Sequence, residues 1–321
     1  MERKFYWDNL KAILIFLVVF AHILLVFEDI MKFDIVMVIY LFHMPLFCFM
    51  SGYFSKNLEK SQDTALKGFL FVYLIFNLIY GAVTKRGVMI FTPLFTHWYL
   101  LTMFFWKISL KDLVKIKFIL PISVLLALFS GTLPEMERFL SAGRTIGFLP
   151  FFLAGYFFKD TYKDKLKKVP LSICIILFLL VAGFGVLASR KDLFPLRFLY
   201  FSYPYRECDL TDLYGIVMRI ICFLGSFIIS GCLLRFIPDK KTIFTSLGKY
   251  TLLIYLGHPY VILLLEKTAF LRGLGKPVIL FAAFVISALT LILFGNRYVS
   301  EVYNKGMNRA WKLVSVNGEK K

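Results

Sequence analysis

Acidic residues are scarce in this sequence: Asp and Glu number 20 against 38 Lys and Arg, for a formal charge of +18. Histidine is scarcer still, with four in 321 residues. The five cysteines show no framework spacing, and all except Cys208 sit in apolar runs, which argues against a disulfide scaffold or a paired-cysteine metal site. A four-histidine metal site is conceivable, since imidazole is a common ligand, but no two histidines fall within one helical turn, so nothing in the spacing demands it and no metal is expected. The apolar runs lack period-two alternation, which argues against a membrane β-barrel. No internal repeat is visible, which weakens an inverted-repeat transporter. No small-residue cleavage site follows the first apolar run, so that run reads as a retained helix and not as a signal peptide.

Apolar sequence is what the chain has in excess. Hydrophobic residues make up 59% of it and the mean hydropathy is +0.75, against roughly 45–50% apolar residues in soluble domains. The expectation is an all-α integral membrane protein, one bundle and one domain over residues 1–321. A bilayer core of about 30 Å takes about 20 helical residues. About ten spans are predicted on that basis: Leu10–Phe27, Ile35–Phe54, Gly68–Val83, Phe95–Ile108, Phe118–Phe129, Ile146–Phe158, Leu171–Leu187, Leu213–Leu234, Ile243–Leu265 and Val278–Phe294. The fourth to sixth are short and are expected to tilt or to extend into polar flanks. With the N-terminus inside, the inner segments hold about twice as many Lys and Arg as the outer ones, so both termini are expected in the cytoplasm. Membrane orientation accounts for the net charge, and no nucleic-acid partner is expected. Inner charge runs such as Lys163–Lys168, and the basic tail after Asn296, read as solvated faces without chemistry.

The polar residues inside these runs carry the functional signal, because a titratable side chain at membrane depth is costly. At 1.5 Å per residue, His22 lies about 7.5 Å from the outer end of its span, His43 about 12 Å, His258 about 10 Å, and Arg219 and Asn77 about 9 Å. His97 sits at an outer end beside Trp98 and Tyr99, where an interfacial belt is the plainer reading. Arg144, also at an outer end, is able to snorkel to headgroups. All four histidines thus share the outer half of the membrane on four different helices. Pro45 and Pro259 follow His43 and His258 closely, and each removes a backbone donor near that layer. The longest outer loop, Ala188 to Asp212, combines Tyr200, Tyr203 and Tyr205 with Arg206, Glu207, Asp209 and Asp212. Such a mixture suits a sugar, with its apolar faces and polar edges, and suits an aromatic belt equally.

Five stretches carry a resemblance: WDNLKAILIFLVVFAH, FHMPLFCFMSGYF, HWYLLTMFFW, GRTIGFLPFFLAGYFF and LGKYTLLIYLGHP, in that order along the chain. Together they resemble the membrane acyltransferase-3 family, in particular its fucose 4-O-acetylase-like branch. The broader family carries an arginine, ten residues and a histidine; here Lys11 takes the arginine's place ahead of His22. A lysine keeps the charge but cannot grip a phosphate in a bidentate way.

The resemblance implies transfer of an acyl group, usually acetyl from acetyl-CoA, to a hydroxyl of an extracytoplasmic sugar or glycan at the cell membrane, with a bacterial plasma membrane as the expected setting. In that reading His22, His43, Arg144 and His258 form the catalytic set, with His22 as base, since histidine titrates near neutral pH. Lys11 and Asp8 meet the donor, some 16 Å of helix below His22, although Asp8 also suits a helix N-terminus by itself. Trp98, Tyr99, Tyr203, Tyr205 and Arg219 face the acceptor, and Arg144 and Arg219 are placed to steady oxyanion charge. The competing class is a proton-coupled transporter or flippase, in which a histidine layer relays protons; a membrane sensor or scaffold is a third.

Overall fold

The computed structural model describes residues 5–134, 139–268, 271 and 273–315. Arg3, Lys4, Arg138, Arg272, Lys320 and Lys321, which enter the charge balance above, lie outside them. Among the described residues every regular element is helical. In chain order these are α1 Phe5–Leu25, α2 Asp34–Tyr53, and α3 Leu58–Ala65, which continues through a π turn at Leu66–Leu70 into α4 Phe71–Val83. Then come α5 Trp98–Leu113, α6 Ile119–Phe129, α7 Ala142–Gly147, α8 Leu149–Phe157, α9 Asp160–Lys168 and α10 Leu171–Arg190. The last four are α11 Asp212–Phe236, α12 Thr251–Lys267, α13 Lys276–Phe294 and α14 Arg297–Val314.

Among the described residues six helices are long and apolar enough to cross a membrane: Phe5–Leu25, Asp34–Tyr53, the continuous Leu58–Val83, Leu171–Arg190, Asp212–Phe236 and Lys276–Phe294. The protein is therefore a multi-pass membrane protein. The other four predicted spans fall on shorter helices, and in three the reason is local. Pro150 sits in the first turn of α8 and the helical path breaks at Phe148, because a proline is tolerated there and not further in. Phe118 is in the left-handed region, φ 62°, so α6 starts abruptly and has 11 residues, about half a crossing. The predicted span Ile243–Leu265 begins as a helix only at Thr251. The Thr242 and Thr245 hydroxyls before it are bonded to Asn9, which fixes that segment as turns. The charged stretches read as solvated are also helical. α9 carries the Lys163–Lys168 run, and α14 is capped by Asn296 Oδ1, which accepts from Val299 N at 3.0 Å.

The chain divides into two compact units. The first comprises residues 1–39 and 237–321, and packs α1 against α12, α13 and the short turn at Leu247–Lys249. The second comprises residues 40–236 and packs α3 and the π turn on α5, α6 on α7 and α8, and α10 on α11. In the second unit α2 and α8 meet backbone to backbone. A Cβ on Gly52 would overlap the Phe152 carbonyl and one on Gly155 would overlap that of Phe49. Small residues permit such approach between helices that lipid alone would not drive together.

Candidate active site

In the first unit the sequence-predicted histidines of α1 and α12 come together. His258 Nε2 lies 3.2 Å from His22 Nδ1, with the rings within 14° of parallel. His258 is wholly buried and His22 half-buried. Pro259 explains the arrangement. Lacking an N–H, it cannot bond the carbonyl four residues back, which is that of Tyr255. His258 Nδ1 lies 2.7 Å from that same carbonyl. A carbonyl only accepts, so Nδ1 of His258 carries the proton and, in the neutral ring, Nε2 carries the lone pair. His22 Nδ1 therefore donates to it, and the basic lone pair of His22 sits on Nε2. A carbonyl, an orienting imidazole and a basic imidazole are thus linked in series, the logic by which a positioned base is held in one tautomer.

The start of α1 is pinned a helix length away from His22. Lys11 Nζ pairs with Asp8 Oδ1 at 2.8 Å, so the two residues expected to meet a donor are partners of each other. Asp8 is buried. Its neighbour Asn9, which the sequence reading did not single out, is 2% exposed and uses its whole amide. Nδ2 donates to the carbonyls of Pro238 and Lys240 at 3.0 and 2.9 Å. Oδ1 accepts from Thr242 Oγ1 and Thr245 Oγ1 at 2.9 and 2.5 Å.

The second unit holds His43, Arg144 and the expected acceptor residues. His43 is 1% exposed, with the Tyr40 ring edge-on at 4.6 Å. Tyr40 lies 5.4 Å from Tyr200, and Tyr200 6.5 Å from Tyr203, so aromatic rings run from His43 to the Ala188–Asp212 segment. The Arg144 guanidinium lies over Trp98, 5.0 Å from its ring centroid, and Trp98 stacks on Phe148. Tyr99 Oη is 2.5 Å from Ser51 Oγ, and Thr102 Oγ1 is 2.9 Å from Thr145 Oγ1. His97 does not join an interfacial rim. It is fully buried, with the Tyr80 ring edge-on at 5.4 Å.

Tyr205 and Arg219 form a closed cluster. The Tyr205 ring lies between Gly131 and Gly215, where a Cβ on either would overlap it. Its Oη donates to the Leu128 carbonyl at 2.6 Å and its N–H to that of Gly131 at 2.7 Å. Burial pushes this loop phenol up to about 12, against the pull of Arg219, so it stays a donor throughout the physiological range. The Arg219 guanidinium is 1% exposed, 4.5, 4.9 and 5.5 Å from the ring centroids of Tyr205, Phe201 and Phe198. Nη1 donates to the Ala127 carbonyl at 2.8 Å, while Nε and Nη2 have no partner among the described residues. Tyr205 is committed within the protein and anchors the segment that carries Tyr200 and Tyr203.

The family described as an acyltransferase domain, acyltransferase-3, matches residues 4–297, nearly the whole chain. No curated protein and no solved structure gives a match.

Proposed function

This chain belongs to the acyltransferase-3 family, and from that premise we propose that it is an O-acetyltransferase of a bacterial plasma membrane. It would move acetyl from cytoplasmic acetyl-CoA to a hydroxyl of a cell-surface or lipid-linked sugar, in the manner of the fucose 4-O-acetylase-like branch. The observation that carries this reading is the His258–His22 pair, because acyl transfer to a hydroxyl needs a base whose lone pair is held ready. His22 Nε2 takes the proton of the attacking sugar hydroxyl as its oxygen bonds the thioester carbon. The C–S bond then breaks, and the departing thiolate recovers the proton from His22. His258 holds the tautomer and spreads the transient charge. Lys11, kept in place by Asp8, attracts donor phosphates. His43, Arg144, Trp98, Tyr99 and Tyr203 serve the acceptor, with Arg144 lying over the Trp98 face. In this reading there are ten spans, both termini face the cytoplasm, and no metal takes part.

The test is acetyl transfer by purified protein in vesicles, with acetyl-CoA supplied on one face and oligosaccharide acceptors on the other, alongside mass analysis of glycans from cells with and without the gene. His22→Ala should fold, insert and lose transfer to background. Near-normal turnover in that variant refutes His22 as base. Transfer only when both substrates share the cytoplasmic face refutes passage of the acetyl group through the protein.

A further inference from the structure

The C-terminal end of α5 holds a buried ammonium that the reaction above leaves unused. Lys107 is 8% exposed. Its Nζ donates to Ser55 Oγ at 3.4 Å and Ser61 Oγ at 3.3 Å, and lies 5.3 Å from the centroid of the Phe69 ring. Hydroxyls and a ring face orient an ammonium but bring it no negative charge, and a buried charge is ordinarily paired. The charge that bears on it is that of another cation, Lys60 of α3. A buried ammonium held by two serine hydroxyls, with the charge of the exposed Lys60 added to its own, makes a place that lacks an anion.

The chemistry of the donors narrows the anion. Ammonium and hydroxyl groups in a tight cluster bind the oxygens of phosphate as point donors. The hydroxyls also continue into the unit. Ser55 Oγ donates to the Ser51 carbonyl at 2.7 Å, and Ser51 Oγ meets Tyr99 Oη at 2.5 Å. Tyr99 lies eight residues before Lys107 on the same helix, so about 12 Å away. A phosphate seated at Lys107 would have polar groups of Ser55 and Ser51 leading away from it into the unit, suited to the amide-bearing arm that a coenzyme A thioester carries.

We infer that Lys107, Lys60, Ser55 and Ser61 form a phosphate-binding site that holds the nucleotide end of the acyl donor. This rests on the donor assigned above, and a lipid headgroup phosphate has the same chemistry. The test is calorimetric titration of the full-length protein in dodecyl maltoside, which has no phosphate. The ligands are coenzyme A, inorganic pyrophosphate, pantetheine and phosphatidylglycerol. Lys107→Met should weaken coenzyme A and pyrophosphate by about tenfold to a hundredfold and leave pantetheine unchanged, while Lys107→Arg should retain most of the affinity. If Lys107→Met does not fold, Lys60→Met is expected to weaken the same two ligands by about threefold. Unchanged coenzyme A affinity in a folded Lys107→Met protein overturns the site. Binding of phosphatidylglycerol in place of coenzyme A overturns the assignment to the donor. Pyrophosphate binding that depends on Lys107, in a protein that transfers no acetyl group, upholds the anion site and refutes the reaction instead.

Discussion

Replacing His258 with phenylalanine tests the tautomer argument directly. An aromatic ring is kept, somewhat larger than the imidazole, while both nitrogens vanish. The Tyr255 carbonyl, already released by Pro259, loses the imidazole that lies 2.7 Å away, and His22 loses a partner at 3.2 Å. A positioned general base contributes about 10²–10⁴ in rate, and depriving a triad histidine of its orienting partner costs about 10⁴. The partner here is a neutral imidazole and not a carboxylate, so the expected loss is smaller, about 10²–10³ in kcat, or about 2.7–4.1 kcal/mol. KM for acetyl-CoA and for acceptor should move less than about threefold, because His258 touches neither. The assay is thiol release from acetyl-CoA in the presence of acceptor, with thermal unfolding in detergent to show that the fold persists. The double variant with His22→Ala should be no slower than His22→Ala alone, since the two act as one unit. Independent, multiplying losses in the double variant, or full turnover in His258→Phe, would refute the coupling.

Two further outcomes follow from the buried polar groups. Asn9→Ala removes four hydrogen bonds from one buried side chain and should cost about 2–4 kcal/mol, seen as a lower unfolding midpoint; an unchanged midpoint would show that the 238–245 turn is held by other means. Arg219→Met should leave stability near the parent, because a buried guanidinium with two unpartnered nitrogens is weakly compensated and an apolar side chain fills most of its place. Transfer should fall about a hundredfold if Arg219 serves substrate, and full specific activity in a stable Arg219→Met protein removes it from the site.

The long apolar helices were legible in the sequence because length and hydropathy alone decide them. The short ones were legible as runs but not as helices, since local chemistry cut them. The predicted span Ile146–Phe158 ran through Pro150, whose place in the first turn of α8 marks the break. The turn before α12 did not announce itself, because the hydroxyls that fix it answer to Asn9, more than two hundred residues earlier. Lys107 was hidden for the same reason. As one of several inner lysines it reads as a topology charge, and only Ser61, brought to it by the packing of α3 on α5, and Ser55, in the turn before α3, show that it is buried. His97 read as an interfacial residue because Trp98 and Tyr99 follow it, yet the chain folds it beneath Tyr80.

The two proline-marked histidines show how one residue of spacing separates their surroundings. Each proline frees the carbonyl four residues before it: Leu41 for Pro45, and Tyr255 for Pro259. A helix turns about 100° per residue. His258 stands three residues after Tyr255, so its side chain lies only about 60° round from that carbonyl's residue and is able to bond it. His43 stands two residues after Leu41, about 200° round, on the far side of the helix. The Leu41 carbonyl accepts instead from the Ser226 hydroxyl of α11, and the His43 ring faces Tyr40. The same His/Pro neighbourhood therefore yields a histidine whose tautomer is set by its own helix in one unit and one set by its surroundings in the other. This difference was present in the spacing HxP against HP, and it favours His258 over His43 as the residue that orients the base.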